Sequence, residues 1–161
     1  MPLLFGSHVN ERPSVSPSVP PPSSVDVHRT EAAHRLAGVR VLVVEDEPDT
    51  RELVASVLEL LGADVTACSN GEDALATFEA FGPHVVVSDL SLPRVDGWEM
   101  IRRLRATPLG RNVPALALSA NASLEDAGRA LDAGFDVHLA KPISREELVA
   151  AVLSVVDVRR C

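Results

Sequence analysis

Lysine is almost missing from this chain: of its fifteen cationic side chains only Lys141 is a lysine. Cysteine is scarce too. Cys68 and Cys161 stand far apart without metal-ligand spacing, which argues against a zinc site or a disulfide framework and leaves two reduced thiols, as expected of a cytoplasmic protein. No apolar stretch approaches the ~20 residues that a membrane helix needs. No early basic cluster precedes a long apolar run, so a secretory signal is not expected. No glycine-rich loop follows the first apolar run, which argues against a flavin or nucleotide site. Positive charge is also short. The net charge is −8. Residues 1–38 balance Glu11, Asp26 and Glu31 against Arg12, Arg29 and Arg35, so the acidic excess lies further along. That argues against a basic nucleic-acid face and fits a domain that gathers carboxylates around a cation.

What is present divides the chain in two. Six of the twelve prolines fall within residues 1–22, among serines and including the run Pro20 to Pro22. Such a segment cannot bury enough apolar surface to offset its ordering entropy, so residues 1–37 read as an extended tail or linker. Thr30 to Ala37 could form a short helix. Residues 38–158 read as one domain, and about 120 residues suffice for a core without staples.

Five short apolar runs alternate with helical periodicity in that domain. Strands are expected at Arg40–Glu45, Asp64–Ala67, His84–Ser88, Val113–Leu118 and Phe135–Leu139. Between them, Pro48 suits a first helical turn and Leu53, Val54, Val57, Leu58 and Leu61 recur at helical spacing. Asn70 can cap the second helix, and Gly97 opens the third. Ser123 with Asp126, and Ser144 with Glu147, make capping-box patterns for the last two, the final helix ending near Val158. Apolar runs alternating with helices predict a parallel sheet covered on both faces. Short right-handed crossovers make it a doubly wound (βα)5 three-layer α/β sandwich, and the flavodoxin-like order 2-1-3-4-5 is expected because it sets strands one and three at the switch point and brings Asp46 beside Asp89.

Such sheets place ligands at the carboxyl ends of their strands. There the first strand runs into Glu45 and Asp46, the third into Asp89, the fourth into Ser119 and the fifth into Lys141. Acids crowded together repel unless a cation intervenes, and hard oxygen ligands suit Mg2+. Asp46 is expected to be a ligand, with Glu45 acting directly or through water. Glu47 and Asp49 are expected to be helix-dipole decoration. A metal-bridged Asp89 can act as nucleophile toward a phosphoryl group. Lys141 would neutralise the transferring oxygens, and Ser119 would donate one hydrogen bond to them.

The motifs VLVVEDEPD, VVVSDLSLPRVDGWEM, ALALSANA and HLAKPIS, in this order and spacing, resemble the receiver domain of bacterial two-component response regulators from about Val39 to Val156. The resemblance implies that Asp89 is the phospho-acceptor. It implies that Glu45 and Asp46 hold Mg2+ with Asp89 and the backbone carbonyl of Ser91. It also implies that Ser119 is the switch hydroxyl and Lys141 the phosphate-pairing lysine, with Pro93 and Gly97 in the loop after the acceptor. Two positions depart from the usual pattern. Glu45 stands where aspartate is common, and His138 where a switch aromatic is usual. The implied function is a phosphorelay module whose only chemistry is phosphoryl transfer to its own Asp89 and later hydrolysis. The implied partners are a sensor histidine kinase or histidine phosphotransfer domain and a downstream protein, with no membrane and no direct nucleic acid.

Three other readings fit the architecture less well. An aspartyl phosphotransferase or phosphatase would want a second acid two residues after the nucleophile, where this chain has Ser91. A flavin or nucleotide site lacks its loop. A receiver-like domain that is never phosphorylated would have lost an acid or the lysine. Only Arg159, Arg160 and Cys161 follow the last helix, so no output domain is expected in the chain. The Pro/Ser-rich tail and the GFDVHLAKPIS exit favour a relation to hybrid kinases over a stand-alone receiver.

Overall fold

The computed structural model of the protein describes residues 34–160. The Pro/Ser-rich segment up to residue 33, and Cys161, lie outside the described residues. So does the first half of the helix expected at Thr30–Ala37. Its second half is a turn, closed by bonds from the Ala37 amide to the His34 carbonyl and from the Val39 amide to the Leu36 carbonyl. Leu36 in this turn is fully buried, and its amide donates to the Leu61 carbonyl at 2.8 Å. Packing therefore reaches back past Gly38.

The strands are β1 (Arg40–Val44), β2 (Asp64–Cys68), β3 (Val85–Asp89), β4 (Ala115–Ser119) and β5 (Val137–Ala140). The helices are α1 (Pro48–Leu60), α2 (Gly71–Phe81), α3 (Gly97–Arg105), α4 (Leu124–Ala133) and α5 (Arg145–Arg160). All strand pairs are parallel, in the expected order β2-β1-β3-β4-β5. Two strands begin later than their apolar runs. Pro114 has no N–H to enter a ladder, so β4 begins at Ala115 rather than Val113. Ahead of β5, the Asp136 carboxylate accepts the Ala115 amide at 2.8 Å, and Phe135 packs into the core instead of pairing.

The pleat sorts the apolar residues between two layers. Val41, Val43, Val85, Val87, Leu116 and Leu118 face α1 and α5, meeting Val54, Val57, Leu58, Leu148 and Val152. Leu42, Val44, Val86, Ala115 and Ala117 face the other helices, meeting Ala74, Phe78, Met100, Ile101 and Leu104. Each fully buried aliphatic side chain contributes roughly 1.5–3 kcal/mol. The cap signals act as expected. Asn70 accepts the Asp73 amide, and Ser144 and Glu147 bond reciprocally through side chain and backbone. Among the described residues no helix is long and apolar enough to cross a membrane.

Candidate functional site

Register builds the site. Val44 pairs with Ser88, so the next residues, Glu45 and Asp89, lie side by side where the strand order reverses. Ser119 pairs with Ala140, which puts Lys141 one step beyond the same rim. The two-residue pleat does the rest. Val43, Val87 and Leu139 pack toward α1 and α5, so Glu45, Asp89 and Lys141 follow them onto that face. Ser119 and His138 belong to the opposite face, with Ala117.

The result is a tight ionic group. Lys141 Nζ donates to Glu45 Oε2 at 2.8 Å and to Asp89 Oδ2 at 2.9 Å. Asp89 Oδ1 accepts the Ser91 amide at 3.0 Å, and Glu45 Oε1 accepts the Glu47 amide at 3.3 Å. Glu45 is wholly buried and Asp89 is 6% exposed, whereas Asp46 is open to solvent. Burial pushes the Glu45 carboxyl above its ordinary range; the hydrogen bond from Lys141 pulls it back, and the Asp89 charge adds to the rise. Burial also opposes the charge on Lys141. Its hydrogen bonds to Glu45 and Asp89 and their negative charge outweigh that, so its pKa stands above the ordinary lysine value.

Oxygens of Glu45, Asp46 and Asp89 lie within 4.8 Å of one another. Three hard carboxylate donors converging at one open rim fit a small divalent cation. That the buried pair already needs the Lys141 ammonium shows how strongly this point favours positive charge. The Ser91 carbonyl lies on the adjoining loop, and the contact seen from Ser91 is its amide holding Asp89. Glu47, expected to serve the helix, is the α1 cap. Its carboxylate accepts the amides of Asp49 and Thr50, which hold it below the usual carboxylate range, with Thr50 the larger influence.

Not every expected residue joins this group. The Ser119 hydroxyl accepts the Asn121 amide at 3.1 Å. It lines a recess of about 210 Å3 with Ser91, Trp98 and Arg129. Arg129 stacks over Trp98 at 5.1 Å from the ring centroid. His138 Nε2 is buried and, among the described residues, has no hydrogen-bond partner. Two more residues brace the site: Arg51, which sequence reasoning missed, and Gly97, which the resemblance placed in the loop after the acceptor. Arg51 Nη1 donates to the carbonyls of Glu45 and Asp46. Gly97 packs on the acceptor backbone so closely that a Cβ there would collide with the Asp89 carbonyl and stand 2.8 Å from Leu90 Cα. Arginine one turn into a helix reads as surface charge, whereas the close packing of Gly97 on the acceptor backbone shows only in the fold.

The response regulator receiver domain model matches residues 41–153. An uncharacterised 14.6 kDa protein of Leptolyngbya boryana is 44% identical over 117 residues, covering 73% of this chain and 89% of that protein. The transcriptional regulatory protein TrcR of Mycobacterium tuberculosis is 43% identical over 119 residues, covering 73% of this chain and 46% of TrcR. The match to the response regulator MprA of Mycolicibacterium vanbaalenii covers 48% of MprA, so the chain spans about half the length of both regulators. Among solved structures, the receiver domain of the Pseudomonas aeruginosa sensor histidine kinase PA1611 is described with a magnesium ion in its active-site cleft. It superposes with TM-score 0.70 at 36% identity, covering 75% of this chain and 99% of that one. The chemotaxis response regulator CheY4 of Vibrio cholerae superposes with TM-score 0.70 at 27% identity, covering 73% of this chain and 98% of that one.

Proposed function

The chain belongs to the response regulator receiver domain family of two-component systems, and from that premise we propose that it accepts a phosphoryl group on Asp89 from the phosphohistidine of a sensor histidine kinase or histidine phosphotransfer domain. The observation that carries this is the pairing of Asp89 with Lys141 at 2.9 Å beside two further carboxylates. A lone structural aspartate needs neither.

Glu45, Asp46, Asp89 and the Ser91 carbonyl would hold Mg2+, which when bound offsets the negative charge of the transferring oxygens. An Asp89 carboxylate oxygen bonds to phosphorus. The P–N bond of the phosphohistidine breaks, and its electron pair returns to the imidazole nitrogen, which becomes neutral. The Ser91 amide holds the other Asp89 oxygen in place. Lys141, now shared between Glu45 and Asp89, moves one hydrogen bond to a phosphoryl oxygen. Water later cleaves the acyl phosphate, returning the Asp89 carboxylate and inorganic phosphate.

The new group carries about −1.5 to −2 charges. Ser119 answers it by donating a hydrogen bond from its hydroxyl to a phosphoryl oxygen and drawing in the loop that leads to α4. His138 shares the pleat face of Ser119 and fills the space that this movement opens. A near-complete population shift needs about 5.5 kcal/mol, and one charged hydrogen bond supplies about 1.5–3 kcal/mol. Ser119 therefore shares the work with Lys141 and backbone amides. The surface of α4, β5 and α5 is the one that changes for a downstream partner.

Incubation with a small phosphodonor tests the reading by intact mass. One phosphoryl adduct is expected with Mg2+ and none after chelation. An adduct that persists in Asp89→Asn contradicts it.

A further inference from the structure

Three carboxylates meet at the rim, and two are held by their side chains. Glu45 is fixed by Lys141 and the Glu47 amide, and Asp89 by Lys141 and the Ser91 amide. Asp46 differs: it is solvent-exposed, and no side-chain hydrogen bond restrains its carboxylate among the described residues. Its direction is set by its backbone and its own rotamer, with no partner to choose between rotamers.

Arg51 controls that backbone. The residue sits one turn into α1, anchored by its amide bond to the Glu47 carbonyl at 2.9 Å. Its side chain folds back over the helix start. Nη1 donates to the Glu45 carbonyl at 2.9 Å and, more weakly, to the Asp46 carbonyl at 3.4 Å. The first carbonyl belongs to the peptide before the Asp46 Cα and the second to the peptide after it. Restraining both peptide planes fixes the Asp46 Cα–Cβ direction, and so confines its carboxylate to the few positions that the staggered side-chain rotamers reach from there.

We propose that Arg51 is a positioning residue for the cation site: its guanidinium, bonded to the Glu45 and Asp46 carbonyls, aims the otherwise unrestrained Asp46 carboxylate at the ion. This rests on the reading of the rim as a Mg2+ site. Groups that orient a ligand without touching the ion typically change affinity 10–100-fold when lost. Lysine keeps the charge but lacks the planar fork, so it is a poor substitute where orientation matters.

The test is calorimetric titration of the full chain with Mg2+, for wild type, Arg51→Gln, Arg51→Lys and Asp46→Asn, with metal-free melting of each. Arg51→Gln is expected to weaken Mg2+ binding by about tenfold or more while its melting temperature stays near wild type. Arg51→Lys is expected to recover only part of the affinity. Wild-type affinity in Arg51→Gln overturns the proposal, and so does full recovery by lysine, which would make the effect one of charge alone. If Arg51→Gln does not fold, Arg51→Lys decides: weakened binding supports the proposal and unchanged binding overturns it. Unaltered affinity in Asp46→Asn means instead that the rim is not the metal site, and the Arg51 proposal falls with it.

Discussion

Lys141 reaches Asp89 across an intervening strand: its Nζ lies 2.9 Å from Oδ2, although Lys141 follows β5 and Asp89 ends β3, with β4 between them. The same ammonium also bonds Glu45 beyond β1. One cation thus ties the exits of three strands, and much of the local electrostatics depends on it.

Lys141→Met leaves the fully buried Glu45 facing Asp89 without its cation. Glu45 titrates above its unfolded value, chiefly through burial. The folded protein therefore binds that proton more tightly, and stability from this group falls as pH rises from the ordinary glutamate value through the folded one. Without Lys141 the fall steepens. Urea unfolding should show a larger loss at about pH 8 than at about pH 5, with roughly 1–3 kcal/mol lost at the higher pH for a buried acceptor left unpaired. Equal losses at both would contradict this. Lys141 itself has the same sign, in a more alkaline window. Its raised pKa stabilises fully below the ordinary lysine value, and that contribution disappears as pH rises through the folded value.

Gly97→Ala probes the backbone under the acceptor. The added Cβ would press on the Asp89 carbonyl and Leu90 Cα, both main-chain atoms with no rotamer to change. Overpacking of this kind costs about 1–3 kcal/mol. A lower denaturant midpoint is expected, together with slower phosphorylation because Asp89 is displaced. Unchanged values for both would mean that the β3–α3 loop adapts freely.

Leu36→Ala tests where the domain begins. Loss of a fully buried leucine typically costs about 2–5 kcal/mol. A chain starting at Gly38 should be destabilised to a similar degree relative to one starting at His34. A chain starting at Gly38 with full stability would show that the Leu36 turn is dispensable.

The fold was legible in the sequence because the central strands β1, β3 and β4 are nearly unbroken apolar runs, as a parallel sheet covered on both faces demands, while the edge strands β2 and β5 are less buried. Glu45, Asp89 and Lys141 were legible because each interrupts such a run at its carboxyl end. Ser119 was legible as a rim residue, although it is bonded to Asn121 rather than drawn toward the acceptor. The remainder depends on tertiary distance. Leu36 is a single apolar residue beside a polar tail, with no period to mark it. Arg51 is one of many arginines, and only a folded-back side chain distinguishes it from surface charge. Gly97 is set by how closely α3 approaches β3, and no local pattern encodes that spacing.

His138 offers a separate check on the switch. Its buried Nε2 lacks a partner among the described residues, and such an atom costs about 1–3 kcal/mol. His138→Phe removes the orphaned nitrogen while keeping a flat ring, so the unphosphorylated protein should gain stability. The difference in partner affinity between phosphorylated and unphosphorylated forms should survive, since a ring can still fill the space. Loss of that difference would assign the readout to the imidazole itself.

The most direct measurement is borohydride trapping of the phosphorylated protein followed by peptide mass mapping. Borohydride reduces an acyl phosphate to an alcohol, so a phosphorylated aspartate is recovered as homoserine. The account predicts homoserine at position 89 alone, dependent on Mg2+ and on the phosphodonor. Homoserine at another acid, or a trapped protein with Asp89 intact throughout, would contradict it.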